Sequence, residues 1–180
     1  MRKDIQKIVE IPEGVNVDVV GQEFTVKSKG QEIKKKFNFQ NITIAKDGNK
    51  IVLSAKKATK RELTAVGTVV AHLKNLIHGV QEDYEYKLEI CNVHFPMTVK
   101  VEGNKVIIKT FLGEVNDRIA KIMPNSKVEV KGKDITVTSF DKDSAGQTSA
   151  NIEKATKITG RDRRVFQDGI FITDKCGKAI

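Results

Sequence analysis

The side chains with the clearest potential for chemistry are a Cys-x-x-His pair and two closely spaced aspartates. Cys91 and His94 have the spacing of half a zinc site, but a structural zinc site needs about four ligands. The second cysteine of the chain, Cys176, lies far from this pair in sequence. Cys91 also sits at the end of an alternating strand pattern that includes Leu88 and Ile90, which favours a buried small apolar residue over a metal ligand or a reactive thiol.

Asp141 and Asp143 form the second candidate, because paired carboxylates can carry acid–base chemistry or hold magnesium. They lie just before a helical pattern that begins near Ser144, where the helix dipole favours negative charge. The surrounding sequence offers no nucleophile and no oxyanion donors, and the chain has no Walker A or GxGxxG motif. The pattern therefore favours helix capping, and we predict no catalytic residue, no metal and no cofactor.

Charge and composition indicate an acidic macromolecular partner instead. The 180 residues carry a formal net charge of +9, and 39% of them are hydrophobic, which is enough for packed cores. Nucleic acid is the usual partner of such a chain, although a basic surface can also serve solubility alone. No run approaches the ~18 apolar residues of a membrane span, so we expect no membrane partner. The low cysteine content favours a reducing cytoplasm.

One amphipathic hairpin pattern occurs twice in the chain. Residues 11–26 and 123–137 each alternate apolar and polar side chains on both sides of a glycine, which is typical of two half-buried strands. Aligning the two segments places Val17 on Val128, 111 positions later. Such internal similarity indicates a duplication.

A second hairpin pattern also occurs twice, in residues 42–53 and 97–108. Tight turns fall at Gly48 and Gly103, where glycine supplies the positive φ that these turns need. Together the two patterns predict that each half of the chain contains a small antiparallel sheet.

One helix follows each set of hairpins. The first helix begins at Thr59, with Glu62 three residues later as in a capping box, and Gly79 marks its C-cap. The second helix begins near Ser144 and ends at Gly160. The sequence therefore predicts an α+β fold of two tandem duplicated domains, residues 1–82 and 83–180, each with one helix packed on a sheet.

Basic residues cluster on and after the second helix. Lys154 and Arg161 fall on one predicted helical stripe, with Lys157 beside it. Arginine binds phosphate in a bidentate manner, and an aromatic side chain such as Phe166 can stack or anchor the segment. Gross charge does not select this half of the chain, because residues 1–82 carry net +6 and residues 83–180 net +3.

Four segments, in chain order, carry a family resemblance. They are IPEGVNV near the start, HLKNLIHGV at the end of the first helix, YEYKLEICNVHFPM at the start of the second half, and NIEKATKITGRDRRVFQDGIFITDK near the end. The last combines Arg164, Phe166, Asp168-Gly169, Phe171 and Lys175 at set spacing. The chain thereby resembles the family of large-subunit ribosomal protein six, in its archaeal and eukaryotic branch.

The resemblance implies two α+β domains that bind large-subunit ribosomal RNA, chiefly through the C-terminal domain. It places the protein on the ribosome near the base of the lateral stalk, close to the sarcin–ricin loop and to neighbouring ribosomal proteins. It supplies no catalytic residue and no small-molecule substrate. An adaptor outside the ribosome is the alternative, and a hydrolase that uses Cys91 and His94 or the two aspartates is the least supported.

The mechanism that we predict is phosphate binding by the second domain, with specificity from RNA shape. The predicted RNA-binding residues are Lys142, Gln147, Asn151, Lys154, Lys157, Arg161, Arg163, Arg164, Phe166 and Lys175.

Overall fold

A computed structural model describes residues 3–28, 30–39 and 41–180 of the chain. The chain divides into two compact units, Met1–Glu82 and Asp83–Ile180. In the described residues each unit contains one α-helix and two antiparallel sheets, so the predicted α+β class is confirmed. Neither helix is both long enough and apolar enough to cross a membrane.

The first unit builds its core between two three-stranded sheets and one helix. Its elements are β1 (Lys3–Glu10), β2 (Asn16–Val20), β3 (Glu23–Ser28), β4 (Gln31–Lys36), β5 (Thr43–Asp47), β6 (Lys50–Ala58) and α1 (Lys60–Gln81). The sheet orders are β1-β6-β5 and β2-β3-β4. Phe24, Leu53 and Leu73 are fully buried where α1 packs on strands of both sheets.

The second unit repeats this plan and adds two strands. Its elements are β7 (Tyr84–Cys91), β8 (Thr98–Glu102), β9 (Lys105–Lys109), β10 (Arg118–Lys121), β11 (Ser126–Lys131), β12 (Asp134–Ser139), α2 (Lys142–Ala155), β13 (Gly169–Lys175) and β14 (Lys178–Ala179). The sheet orders are β10-β9-β8 and β11-β12-β7-β13-β14. Helix α2 packs on β7, β10, β12 and β13.

Strand β7 shows how alternation in the sequence positions α2. Every second residue from Tyr84 to Ile90 is buried, and Leu88 is fully enclosed. Burial raises the pKa of both Tyr84 and Tyr86 to about 12. A Cβ atom at Gly146 of α2 would lie 3.2 Å from the Tyr86 hydroxyl oxygen, so any larger residue would press on this side chain where the helix crosses β7.

The predicted hairpins are confirmed, but their predicted correspondence at 111 positions is wrong. The order β1-β6-β5 recurs as β7-β12-β11, and β2-β3-β4 recurs as β8-β9-β10. The turn of Gly21 therefore matches that of Gly103, and the turn of Gly48 matches that of Gly132, at spacings of 82 and 84 residues. All four glycines have positive φ between strands of the same alternation, so alternation alone cannot tell the hairpins apart.

Helix α1 begins as predicted and ends later than predicted. The backbone N–H of Thr59 donates to the Glu62 carboxylate at 2.8 Å, which completes the capping box. The hydrogen bond from the Thr59 hydroxyl is the main reason that the pKa of Glu62 falls to about 2. The C-cap predicted at Gly79 is wrong, because Gly79 is a buried helical residue and the cap is Glu82, whose extended backbone leads into β7.

Helix α2 begins at Lys142, two residues before the predicted start, and ends at Ala155 instead of Gly160. The guanidinium of Arg118 in β10 donates to the carbonyl oxygens of Ala155 at 2.9 Å and Lys157 at 3.2 Å. These bonds satisfy terminal carbonyls that a longer helix would have used internally. Lys157 and the residues after it consequently lie outside the helix.

Thr156 holds the end of α2 against the sheet. Its side chain is buried, and its hydroxyl donates to the carbonyl oxygen of Glu153 at 3.1 Å. The same hydroxyl accepts the backbone N–H of Ile170 in β13 at 2.9 Å. A tertiary hydrogen bond to a strand 14 residues later is not visible in helical periodicity.

Replacing Thr156 with Val should lower the free energy of unfolding by about 1–3 kcal/mol, because it leaves the buried N–H of Ile170 without an acceptor at equal side-chain volume. Urea unfolding followed by circular dichroism measures the change. The matched control is Thr98→Val on the exposed side of β8, which should be nearly neutral. Equal unfolding free energies for the two variants would contradict this role of Thr156.

Candidate nucleic-acid interface

The predicted RNA-binding residues fall into separate groups at the two ends of α2. Helix α2 is 14 residues long, so its ends are about 20 Å apart. One group lies at its C-terminal end, and we call this group the C-terminal cluster: Lys154, Lys157, Arg161, Arg163, Arg164 and Phe166. The structure does not bring Lys142 and Lys175 into this cluster.

Lys142 and Lys175 lie instead at the opposite end of β7. The ammonium nitrogen of Lys142 is 5.5 Å from the ring centre of Tyr84, a cation–π contact within the unit. Lys175 is exposed on β13, opposite Tyr86 in the register of the sheet. These two lysines can therefore reach RNA only at a second point.

Gln147 and Asn151 lie between the two groups on α2 and interact with each other. The amide of Gln147 donates to the amide oxygen of Asn151 at 2.8 Å. The amide nitrogen of Asn151 donates to the carbonyl oxygen of Lys121 in β10 at 2.9 Å. Asn151 thus connects α2 to β10, which restricts the part it can play toward RNA.

The cations of the C-terminal cluster are well exposed. In the part of the chain that the structure describes, Lys154, Lys157 and Arg163 have no ion-pair partner within 4.0 Å. Arg164 has a side chain that is 93% exposed and lies 3.5 Å from the Asp162 carboxylate. Exposed pairs of this kind contribute little, so these side chains can exchange water for phosphate oxygens at low cost.

Phe166 is the aromatic centre of the cluster. Its ring stacks on His94 with 4.9 Å between ring centroids and an angle of 28° between ring planes. The Arg161 guanidinium carbon lies 4.9 Å from the same ring centre. Phe166 therefore anchors the segment within the protein, which is one of the two roles, stacking or anchoring, that the sequence predicted for it.

Asp168 fixes the far end of the same segment. Its carboxylate accepts the backbone N–H groups of Val93 at 2.7 Å and His94 at 2.9 Å, and Nδ1 of His94 lies 2.5 Å from the other oxygen. The side chain is only 1% exposed. Burial on its own would raise the pKa of Asp168, but the hydrogen bonds from His94 and Val93 outweigh it and hold the pKa below its ordinary value.

A cleft of about 610 Å³ opens beside the cluster. Its apolar lining includes Val93, Phe166 and Phe171. A Cβ atom at Gly169 would lie 2.9 Å from the tip of the Phe171 ring, so a larger residue there would displace this ring from the start of β13. The lining also includes three of the cations of the cluster, Lys154, Lys157 and Arg163.

The two candidate chemical sites have structural roles. Nδ1 of His94 is bound to Asp168, and burial is the main reason that the pKa of Cys91 is raised, which disfavours its thiolate. Asp141 accepts the backbone N–H groups of Asp143 and Ser144 at 3.2 and 3.3 Å and so caps α2, as predicted. Within residues 3–28, 30–39 and 41–180, no three His, Cys, Asp or Glu side chains are grouped to hold a metal.

The sequence did not reveal that Arg118 and Asp168 position the cluster. Arg118 is bidentate to Glu114 at 2.8 and 2.6 Å and lies 4.2 Å from the ring centre of Phe111. The Arg118–Glu114 pair could have been found from the sequence, because the two residues have opposite charge and are four positions apart. For Asp168 the sequence showed only its place in the C-terminal motif. Its hydrogen-bond partners are 74 and 75 residues away, so the sequence could not identify them.

Comparisons with known proteins agree with this architecture. The family model described as ribosomal protein L6 matches residues 11–83 and again residues 95–169, which is the repeat seen in the sheets. Large ribosomal subunit protein uL6 of Methanobrevibacter smithii is 46% identical, with 95% of this chain and 96% of the relative covered. Its counterparts in Methanosphaera stadtmanae and Sulfurisphaera tokodaii are 49% and 48% identical, covering 96% and 93% of this chain and 94% and 90% of their own lengths.

Replacing Asp168 with Asn should lower the free energy of unfolding at pH 7 by about 1–3 kcal/mol, because the buried donors lose a charged acceptor. The folded pKa of Asp168 is lowered, so its contribution is complete above the unfolded pKa of about 3.9 and is lost as pH falls through the folded value. Urea unfolding between pH 7 and pH 2.5 should therefore show the two proteins converging in acid. The exposed Asp134→Asn is the control, and a difference that persists unchanged at pH 2.5 would contradict the assignment.

Proposed function

This chain belongs to the ribosomal protein L6 family, and we propose that it binds large-subunit ribosomal RNA through the C-terminal cluster of its second unit. It is a structural, non-enzymatic component of the large ribosomal subunit and is bound to the ribosome in the cytoplasm. The archaeal relatives agree with the branch that the sequence motifs resemble. The single observation that carries the RNA-binding proposal is the group of exposed cations at the end of α2, of which Lys154, Lys157 and Arg163 have no ion-pair partner among the described residues.

Phosphate binding fits the geometry of this cluster. Lys154 lies on the last turn of α2, and Lys157 and Arg163 follow on the segment that Thr156 and Asp168 fix at its two ends. Cations on an anchored backbone lose less conformational entropy on binding than cations on a free tail. Contacts to phosphate then set the register of the protein on the RNA, and specificity comes from the shape of the RNA.

The first unit has the larger net charge, and several of its lysines form ion pairs within the unit. Glu32 lies 3.5 Å from the Lys27 ammonium and 3.3 Å from that of Lys34. Lys46 and Lys50 lie 3.9 and 3.4 Å from carboxylate oxygens of Asp18 and Glu10. We assign the first unit a peripheral contact with RNA, or a contact with neighbouring ribosomal proteins.

The family resemblance of the sequence motifs supports a proposal for the place on the subunit. We propose a position near the base of the lateral stalk, close to the sarcin–ricin loop, with neighbouring ribosomal proteins at the stalk base. The residues that we assign to RNA there are the C-terminal cluster, with Lys142 and Lys175 as a second point of contact.

Binding of the full chain to large-subunit ribosomal RNA across a salt series tests the proposal. Neutralising four or five phosphates should give a log–log salt slope of about −3 to −5, and transfer RNA should compete poorly. Weak binding with equal affinity for both RNAs would overturn the proposal and favour an adaptor outside the ribosome.

The double variant Lys154→Ala/Lys157→Ala should reduce affinity for large-subunit RNA about 10-fold or more at 0.15 M salt and make the salt slope shallower by about 1.5–2. The matched control, Lys100→Ala/Lys105→Ala, removes the same charge from exposed positions of the β8–β9 hairpin. Filter binding at several salt concentrations measures both quantities. Equal losses in the two variants would show that net charge, and not the cluster, determines binding.

A further inference from the structure

We propose that the cleft beside the C-terminal cluster receives one unstacked nucleobase of the ribosomal RNA, while the cations at the cleft hold the phosphates next to it. This inference rests on the proposed function and names the part of the RNA that the site recognises. It assigns an insertion site to the second unit in addition to the phosphate contacts.

The cleft has the size and the surface of a site for a flat aromatic group. About 610 Å³ lies within the usual range for small-ligand sites and exceeds what one nucleotide needs. Val93, Ile158, Phe166 and Phe171 give it an apolar lining. Val93 is 68% exposed, so apolar surface is left in water at the cleft until a ligand covers it. Bases of single-stranded RNA segments commonly stack on aromatic and apolar side chains of this kind.

Charge selects a nucleotide over an apolar peptide as the occupant. Lys154, Lys157 and Arg163 line the cleft and have no ion-pair partner in the described part of the chain. An apolar peptide would leave these three cations without compensation, whereas a nucleotide places a phosphate next to its base. The combination of an apolar lining and adjacent cations therefore matches an anionic aromatic ligand.

Polar groups in the cleft can interact with the edge of a base. The lining includes the Gln167 amide and the Glu153 carboxylate, which offer donor and acceptor atoms. The Gln167 amide nitrogen is bonded at 3.3 Å to the carbonyl oxygen of Arg164, and one Glu153 oxygen accepts the N–H of Ile172 at 3.4 Å. Both bonds are long and hold the side chains in place at the cleft.

Contacts within the second unit hold the walls of the cleft. Asp168 joins the start of β13 to the backbone of Val93 and His94, and the His94–Phe166 stack holds the intervening segment. Gly169 lets the tip of the Phe171 ring pack close to the backbone at this wall of the cleft. A preformed site gains affinity because little ordering accompanies binding.

The test fills the cleft without removing a cation. Val93→Trp places an indole at an exposed position of the lining, and Val20→Trp is the matched control at an exposed valine of the first unit, where 76% of the residue is exposed. Ile158→Phe fills the same cleft from the segment that follows α2. Agreement between the two variants excludes a local folding defect at position 93 as the cause. Thermal unfolding by circular dichroism confirms that each variant folds.

Two readouts are compared with large-subunit ribosomal RNA as the probe. Val93→Trp and Ile158→Phe should weaken binding roughly 5- to 100-fold, the contribution of one stacked base, with the salt slope of the wild type. Chemical probing of base edges should show one unpaired base that wild type and Val20→Trp protect and that the two filled variants leave reactive.

Wild-type affinity and an unchanged probing pattern in both filled variants would overturn the inference while the proposed function stands. Loss of salt slope together with affinity would also overturn it, because the filled cleft would then be disturbing phosphate contacts. A wild-type protein that does not prefer ribosomal RNA over transfer RNA would remove both the inference and the proposed function.

Discussion

A buried carboxylate, Asp168, is the constraint on which the rest of the second unit's surface depends. It is the only charged residue among the buried ones in the described part of the chain. A buried charge is costly unless donors surround it, and here the donors come from Val93 and His94. The segment before β13 is therefore joined to the loop after β7. This connection places Phe166 against His94 and forms one side of the cleft.

The other end of that segment is held by the termination of α2. The Arg118 guanidinium donates hydrogen bonds to carbonyl groups at the end of the helix, and the Thr156 hydroxyl accepts one from β13. The helix therefore ends at Ala155. The cations after Lys154 are thereby displayed on an anchored loop and not along a helical stripe. In a ribosomal protein this arrangement separates two tasks: groups that are buried or bonded within the unit, such as Asp168, Thr156 and Arg118, hold the backbone, and the exposed cations remain available to phosphate.

The sequence predicted those features that local rules determine. The capping box of Thr59, the Asp141 cap and the glycine turns follow from a few neighbouring residues, and the structure contains all of them. The correspondence of the repeats was wrong because four hairpins share one alternation. The end of α2 at Ala155 was missed because distant side chains set it, so the helical stripe that was predicted to run on to Arg161 does not exist.

Lysine acetylation followed by mass spectrometry, with and without bound large-subunit ribosomal RNA, tests the central claim most directly. It measures contact at each position in the unaltered protein. The account predicts that RNA protects Lys154 and Lys157 strongly while Lys100 and Lys105 on the β8–β9 hairpin stay reactive. Equal reactivity of Lys154 and Lys157 in the free and bound protein, at RNA concentrations that saturate binding, would contradict it.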